Sequence, residues 1–111
     1  MFCMETRVTR KVTINVAATY KNMGIVYRKL ENLPKALEYH EKSLEIKIKS
    51  LGIHHVNVAM TLGIMALVHS ALGQKEQALK KSSQAHKIFL DNLGPDHPST
   101  KLEARNLSRL T

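Results

Sequence analysis

Tryptophan is absent, aromatics make up 5% of the residues, and the lone cysteine is Cys3. One cysteine closes no internal disulfide, which fits a reducing compartment or simply carries no disulfide information. Long apolar runs are also missing. The longest, "VAMTLGIMALV" from Val58 to Val68, stops near Leu72 even when extended as a helix. A membrane span takes roughly 20 apolar residues, so this stretch reads as a buried helix and the chain as soluble and cytoplasmic. The opening "MFCMETRVTRKV" meets charge before an apolar signal region forms. Acidic residues are scarce, 9 against 17 basic, for a net charge of +8. That excess favours acidic partners without choosing among protein segments, nucleic acid and anionic lipid.

What the chain has is an internal repeat. A shift of 42 residues lays "VAATYKNMGIVYRKL" on "VAMTLGIMALVHSAL" and "PKALEYHEKSLEIKIKSLG" on "EQALKKSSQAHKIFLDNLG". Twelve of the 42 paired positions are identical: Val16, Ala17, Thr19, Met23, Val26, Leu30, Ala36, Leu37, Ile46, Leu51, Gly52 and His55. A third copy begins after Pro98 and ends after one helix. Within each copy the apolar spacing is helical. Val16, Tyr20, Met23, Tyr27 and Leu30 form one stripe, and Val58, Leu62, Met65, His69 and Leu72 repeat it. Leu33, Leu37, His40, Leu44 and Leu51 form another. No alternating strand pattern or Asn-Gly hairpin interrupts them. The spacing predicts helices near 14–30, 34–50, 57–72, 76–92 and 99–110.

The punctuation agrees. Pro34 suits a first helical turn, Gly73 separates two helices, and Gly52 and Gly94 follow the long ones. "LGIHHV" and "LGPDHP" then read as joints between helix pairs, with Asp96 or His97 capping the last helix. Stacked pairs bury faces that one pair leaves open. The expected fold is therefore all-α, a solenoid of stacked helix pairs. Residues 1–13 read as a divergent N-terminal segment. Repeat one covers about 16–57, repeat two about 58–99, and 100–111 form a capping helix with Leu102, Leu107 and Leu110 inward.

These residues resemble the tetratricopeptide repeat family, whose pattern is Trp-x2-Leu-Gly-x2-Tyr followed by Ala-x3-Phe. Copy one reads Tyr20-x2-Met23-Gly24-x2-Tyr27, then Ala36-x3-His40; copy two reads Leu62-x2-Met65-Ala66-x2-His69, then Ala78-x3-Ser82. The 42-residue period and the "LGPDHP" joint look like the kinesin-light-chain type of that family. The resemblance implies a right-handed α-solenoid of stacked antiparallel helix pairs, and a non-catalytic scaffold or adaptor that binds an extended peptide on a concave groove lined by first helices. Carried over residue by residue, the groove positions are Lys21, Asn22, Ile25, Arg28 and Lys29 in copy one. Copy two supplies Met60, Gly63, Ile64 and Leu67, and the last helix supplies Leu102, Arg105, Asn106 and Arg109. Asn22 and Asn106 fall where the family often places an asparagine that bonds a peptide backbone. An apolar middle between basic ends suits an acidic segment with an apolar anchor, arginine being matched to carboxylates by its planar fork.

The residues offer little to other chemistries. Six histidines include no i,i+4 pair and accompany no cysteine pair, so no metal site is expected. Asp96 and His97 are adjacent but lack a nucleophile and a cleft, and no phosphate loop or nucleophile motif occurs, so neither catalysis nor a cofactor is expected. Nucleic acid is the alternative partner suggested by the charge. Base-reading repeats need regularly placed polar pairs, whereas copy two offers Gly63, Ile64 and Leu67. Self-association, or a place in a longer array, is a further expectation of so short a repeat.

Overall fold

The computed structural model describes the backbone of residues 7–110 and the side chains of residues 15–110. Five helices follow in order: α1 (Arg7–Lys29), α2 (Leu33–Leu51), α3 (Val56–Ala71), α4 (Lys75–Leu93) and α5 (Pro98–Leu110). Each packs on the next. Connections of three or four residues leave the chain no choice but to reverse. The body measures 49 × 34 × 22 Å. Its shortest dimension is about two helix diameters, so the helices form two layers, and every helix has some face near solvent.

Four helices keep the bounds that the apolar spacing predicts to within a residue or two. The first does not. It begins at Arg7, so residues 7–13, expected to stand apart, continue α1. "RVTRKVT" contains neither proline nor glycine, and nothing in it stops a helix. Residues 1–6, including Cys3, lie outside the described residues.

The core centres on the middle of the array. Val58, Ala59 and Leu62 of α3 meet Ala85, Ile88 and Phe89 of α4, with Leu44, Ile48, Val56 and Leu93 packed around them. α3 has neighbours on several sides, and nine of its 16 residues are buried. The α1–α2 seam mixes small residues with two large polar ones and leaves the leucines at its edges. On α2 the buried set is Ala36, His40, Ser43 and Lys47, while Leu33, Leu37, Leu44 and Leu51 are half-buried flanks. Two helices approach closely only where side chains are small. Ser43 exploits this by donating its hydroxyl to the Ala17 carbonyl at 2.9 Å. α5 departs further from expectation. Its buried residues are Thr100 and Glu103, whereas Leu102 is 53% exposed and Leu107 and Leu110 are half-buried.

Turns repeat with the sequence. After α1, Glu31 takes φ 62°, and Asn32 N–H reaches back to the Tyr27 carbonyl at 2.8 Å. One period later Gly73 takes φ 77°, and Gln74 N–H reaches the His69 carbonyl at 2.8 Å. The geometry is the same left-handed helix ending, with a glycine in one copy and a glutamate in the other. The joints are also alike. His55 Nδ1 accepts from Asn57 N–H at 3.0 Å, and His97 Nδ1 accepts from Ser99 N–H at 3.1 Å. Both histidines therefore serve as helix caps, and at the second joint it is His97 rather than Asp96 that does so.

Candidate functional site

The groove residues expected from the sequence separate into two groups. Gly63, Ile64 and Leu67 of α3 come together with Asn106 and Arg109 of α5. Two adjoining hollows lie between these helices. One, of about 230 Å³, is lined by Met60, Gly63, Ile64, Leu67, Phe89, Ser99, Leu102, Glu103 and Asn106. The other, of about 190 Å³, adds Ala66, Ser70, Ser82, Arg109 and Leu110. Each is below the size of a small-molecule pocket, about 300–1,000 Å³, and suits an inserted side chain. Leu67 and Met60 stand at the surface, 40% and 49% exposed. Gly63 is what lets the Glu103 carboxylate lie against the α3 backbone, because a Cβ there would stand 2.5 Å from Glu103 Oε1.

The second group is less gathered. Asn22 lines a shallow hollow along α1 with Thr19, Met23, Val26, Tyr27 and Leu30. Lys21, Ile25, Arg28, Lys29 and Arg105 line none of these hollows. Arg28, Lys29 and Arg105 are exposed, and Lys21 and Ile25 are half-buried.

Glu103 is the residue that the sequence reading passed over. It is 5% exposed, sits on the floor of both α3–α5 hollows, and its Oε2 accepts a hydrogen bond from Ser82 Oγ at 2.6 Å. Burial pushes its carboxyl above the ordinary 4.5, opposed by the Ser82 bond and the field of His86. The repeat register aligns Glu103 with Thr61, fully buried, and with Thr19, exposed, so the sequence carried no signal of its burial. Seen from solvent, the groove is an apolar slot with an acid at its base and Arg109 on its lip.

A larger hollow, about 330 Å³, opens between the second helices. Leu44, Ile48, Ile53, Val58, Leu62 and Ile88 form its floor, with His54, Lys81, Gln84, Lys87 and Asp91 at the rim. Among the described residues, no group of three or more His, Cys, Asp or Glu side chains is placed to hold a metal ion, and no helix is long and apolar enough to cross a membrane. Two histidines, His40 and His69, are buried where helices meet. His40 fills the α1–α2 seam, and His69 Nδ1 lies 2.6 Å from Gln74 Oε1 at the α3–α4 turn.

Comparison with known sequences agrees with this architecture. A tetratricopeptide repeat family profile matches residues 15–91. The chain is also 27% identical over 90 residues to a clustered mitochondria protein homolog from Xenopus tropicalis. That match covers 81% of this chain and 7% of the relative. The chain belongs to the tetratricopeptide repeat family, whose domains generally serve as protein–protein interaction modules.

Proposed function

We propose that this repeat domain is a non-catalytic scaffold that binds an extended segment of a protein partner in the α3–α5 groove. The observation that carries the reading is the pair of adjoining hollows sharing Gly63, Leu67, Glu103 and Asn106. One apolar side chain of the segment enters against Ile64, Leu67 and Phe89. Asn106 offers an amide to the passing backbone, and acidic residues of the segment meet Arg109, with Arg105 and the basic residues of α1 beyond. Glu103 makes the slot selective in one respect. An acidic side chain pushed into it would face a buried carboxyl, so the anchor itself is neutral and the acids lie outside it. The 42-residue period and its "LGPDHP" joint favour an arrangement of the kinesin-light-chain type.

The test is fluorescence anisotropy with labelled peptides that carry one leucine between aspartates. Leu67→Gln and Arg109→Glu should each weaken binding by tenfold or more, while a peptide with the leucine replaced by glutamate should not bind. Affinity unchanged in both variants would sink the reading. Single-stranded RNA in low salt is the control. A steep loss of RNA binding with added salt would favour a nucleic-acid surface instead.

A further inference from the structure

The three copies of the first helix are buried differently, and the difference follows one face. At the first repeat position of that face, Val58 on α3 and Thr100 on α5 are 0% and 2% exposed, but Val16 on α1 is 41% exposed. At the next position, Thr61 and Glu103 are buried while Thr19 is exposed. Val68 is 0% exposed and its counterpart Val26 is 54% exposed. Leu72 is half-buried and its counterpart Leu30 is 68% exposed. The covering element in the later copies is the preceding second helix. α2 covers α3, where Lys47 Nζ donates to Thr61 Oγ1 at 2.9 Å. α4 covers α5, where Ser82 donates to Glu103. α1 carries the same apolar surface with no such helix on it among the described residues.

The structure also narrows what covers it. A pair entering through the usual joint would need a break one period before Gly52–His55, at residues 10–13. α1 runs through those residues as a helix. A second copy is poorly suited. Its two second helices already spend their covering faces on α3 and α5. Two α1 helices laid together bring no counter-charge either, since Arg7–Lys29 contains no acidic residue. The positive charge beside the open face is α1's own, which contributes Lys21, Arg28 and Lys29 and no acidic residue. Across the hollow beside α3, α4 presents Lys81, Gln84, Lys87 and Asp91. One period earlier these positions are Tyr39, Lys42, Glu45 and Lys49, where Lys42 lies 3.9 Å from Glu38 and Lys49 3.4 Å from Glu45, so α2 adds no acidic surplus to offset α1.

We infer that the exposed face of α1, Val16, Thr19, Met23, Val26 and Leu30, docks an amphipathic helix of another protein, aliphatic on one stripe and acidic along its edges. The helix lies where α2 lies on α3, continuing the array by one element. The anchor slot between α3 and α5 shares no lining residue with this surface, so a variant in one leaves the other's lining intact.

The probe is a stapled helical peptide of about five turns with a leucine–alanine stripe and glutamates on both flanks, compared with its lysine-flanked twin. Anisotropy should show the glutamate peptide bound and the lysine peptide at least tenfold weaker. Val26→Gln/Leu30→Gln should cost tenfold or more. Both side chains are exposed, so circular dichroism should confirm an intact fold. Leu67→Gln, in the groove, should leave this binding unchanged. The inference is overturned if the glutamate peptide does not bind, if Leu67→Gln removes its binding, or if Val26→Gln/Leu30→Gln leaves it intact. It is equally overturned if the wild-type chain is a dimer by solution mass that Val26→Gln/Leu30→Gln turns into a monomer, because a second copy then occupies the face.

Discussion

Gly24 on α1 lies flat against the imidazole of His40 on α2: a Cβ at residue 24 would stand 2.7 Å from Nε2. The seam closes because one residue has no side chain and the other, fully buried, fills the space an aromatic would take. Gly24→Ala forces the ring or the helix to shift. Overpacking of this kind costs about 1–3 kcal/mol, and urea unfolding followed by circular dichroism should show a loss in that range.

His40 gives the seam a pH dependence. Both ring nitrogens are buried without hydrogen-bond partners. Burial, then the positive fields of Lys47, Arg28 and Lys21, hold its pKa below the ordinary 6.5. The unfolded chain therefore binds the proton first as pH falls, and stability falls with it from about that value downward until the folded state is protonated too. His40→Phe removes the titration. The stability of His40→Phe relative to wild type should rise between pH 7.5 and pH 5.5; a gap independent of pH would contradict this account.

Lys47 presents the opposite charge problem. It is 8% exposed and donates to Thr61, yet its repeat partner is the apolar Phe89. Burial, and then Lys21, depress its pKa below the ordinary 10.5, so at neutral pH the folded state holds a cation it accommodates poorly. Lys47→Leu should stabilise the fold by on the order of 1 kcal/mol at pH 7. The gain should shrink as pH rises toward 10.5, where the unfolded lysine also loses its proton.

Glu31 holds a left-handed conformation, φ 62°, that its counterpart Gly73 adopts without a Cβ penalty. Glu31→Gly should therefore raise stability by about 1 kcal/mol. The corresponding change in thermal midpoint is the measurement, and no gain would mean that the glutamate side chain earns its place by a contact elsewhere.

Glu103 couples the groove to stability. Its raised pKa means that the folded state favours the protonated acid, so its contribution is fully present below 4.5 and is lost as pH rises through the folded value. Glu103→Gln keeps an acceptor for Ser82 and removes the charge. It should stabilise the domain at pH 7 relative to wild type, by on the order of 1 kcal/mol, with the advantage fading in acid. If the anchor slot binds as proposed, the same variant should also admit a peptide whose anchor is glutamate more readily than wild type does.

The repeat was legible in the sequence because stacking copies the same local requirements. Apolar residues recur at helical spacing, glycine follows both second helices at Gly52 and Gly94, and a histidine stands at the same place in both joints. These are local facts, decided within a turn or two of chain, and they settled the five helices and the family. The groove was legible only in part. Gly63, Ile64, Leu67, Asn106 and Arg109 meet, but Lys21, Ile25, Arg28, Lys29 and Arg105 do not line the hollows, because groove membership depends on how far each helix is rotated against its neighbour.

What the sequence alone determined is therefore the period, the helix content, the positions of the joints and the excess of positive charge. What only the tertiary structure decided is which side of each helix is covered. Val26 and Val68 are the same residue at the same repeat position, one 54% exposed and the other fully buried. Glu103 sits at the base of a slot although it reads as a surface charge. Burial belongs to the neighbours a helix acquires, and a neighbour is not written in the helix that it covers.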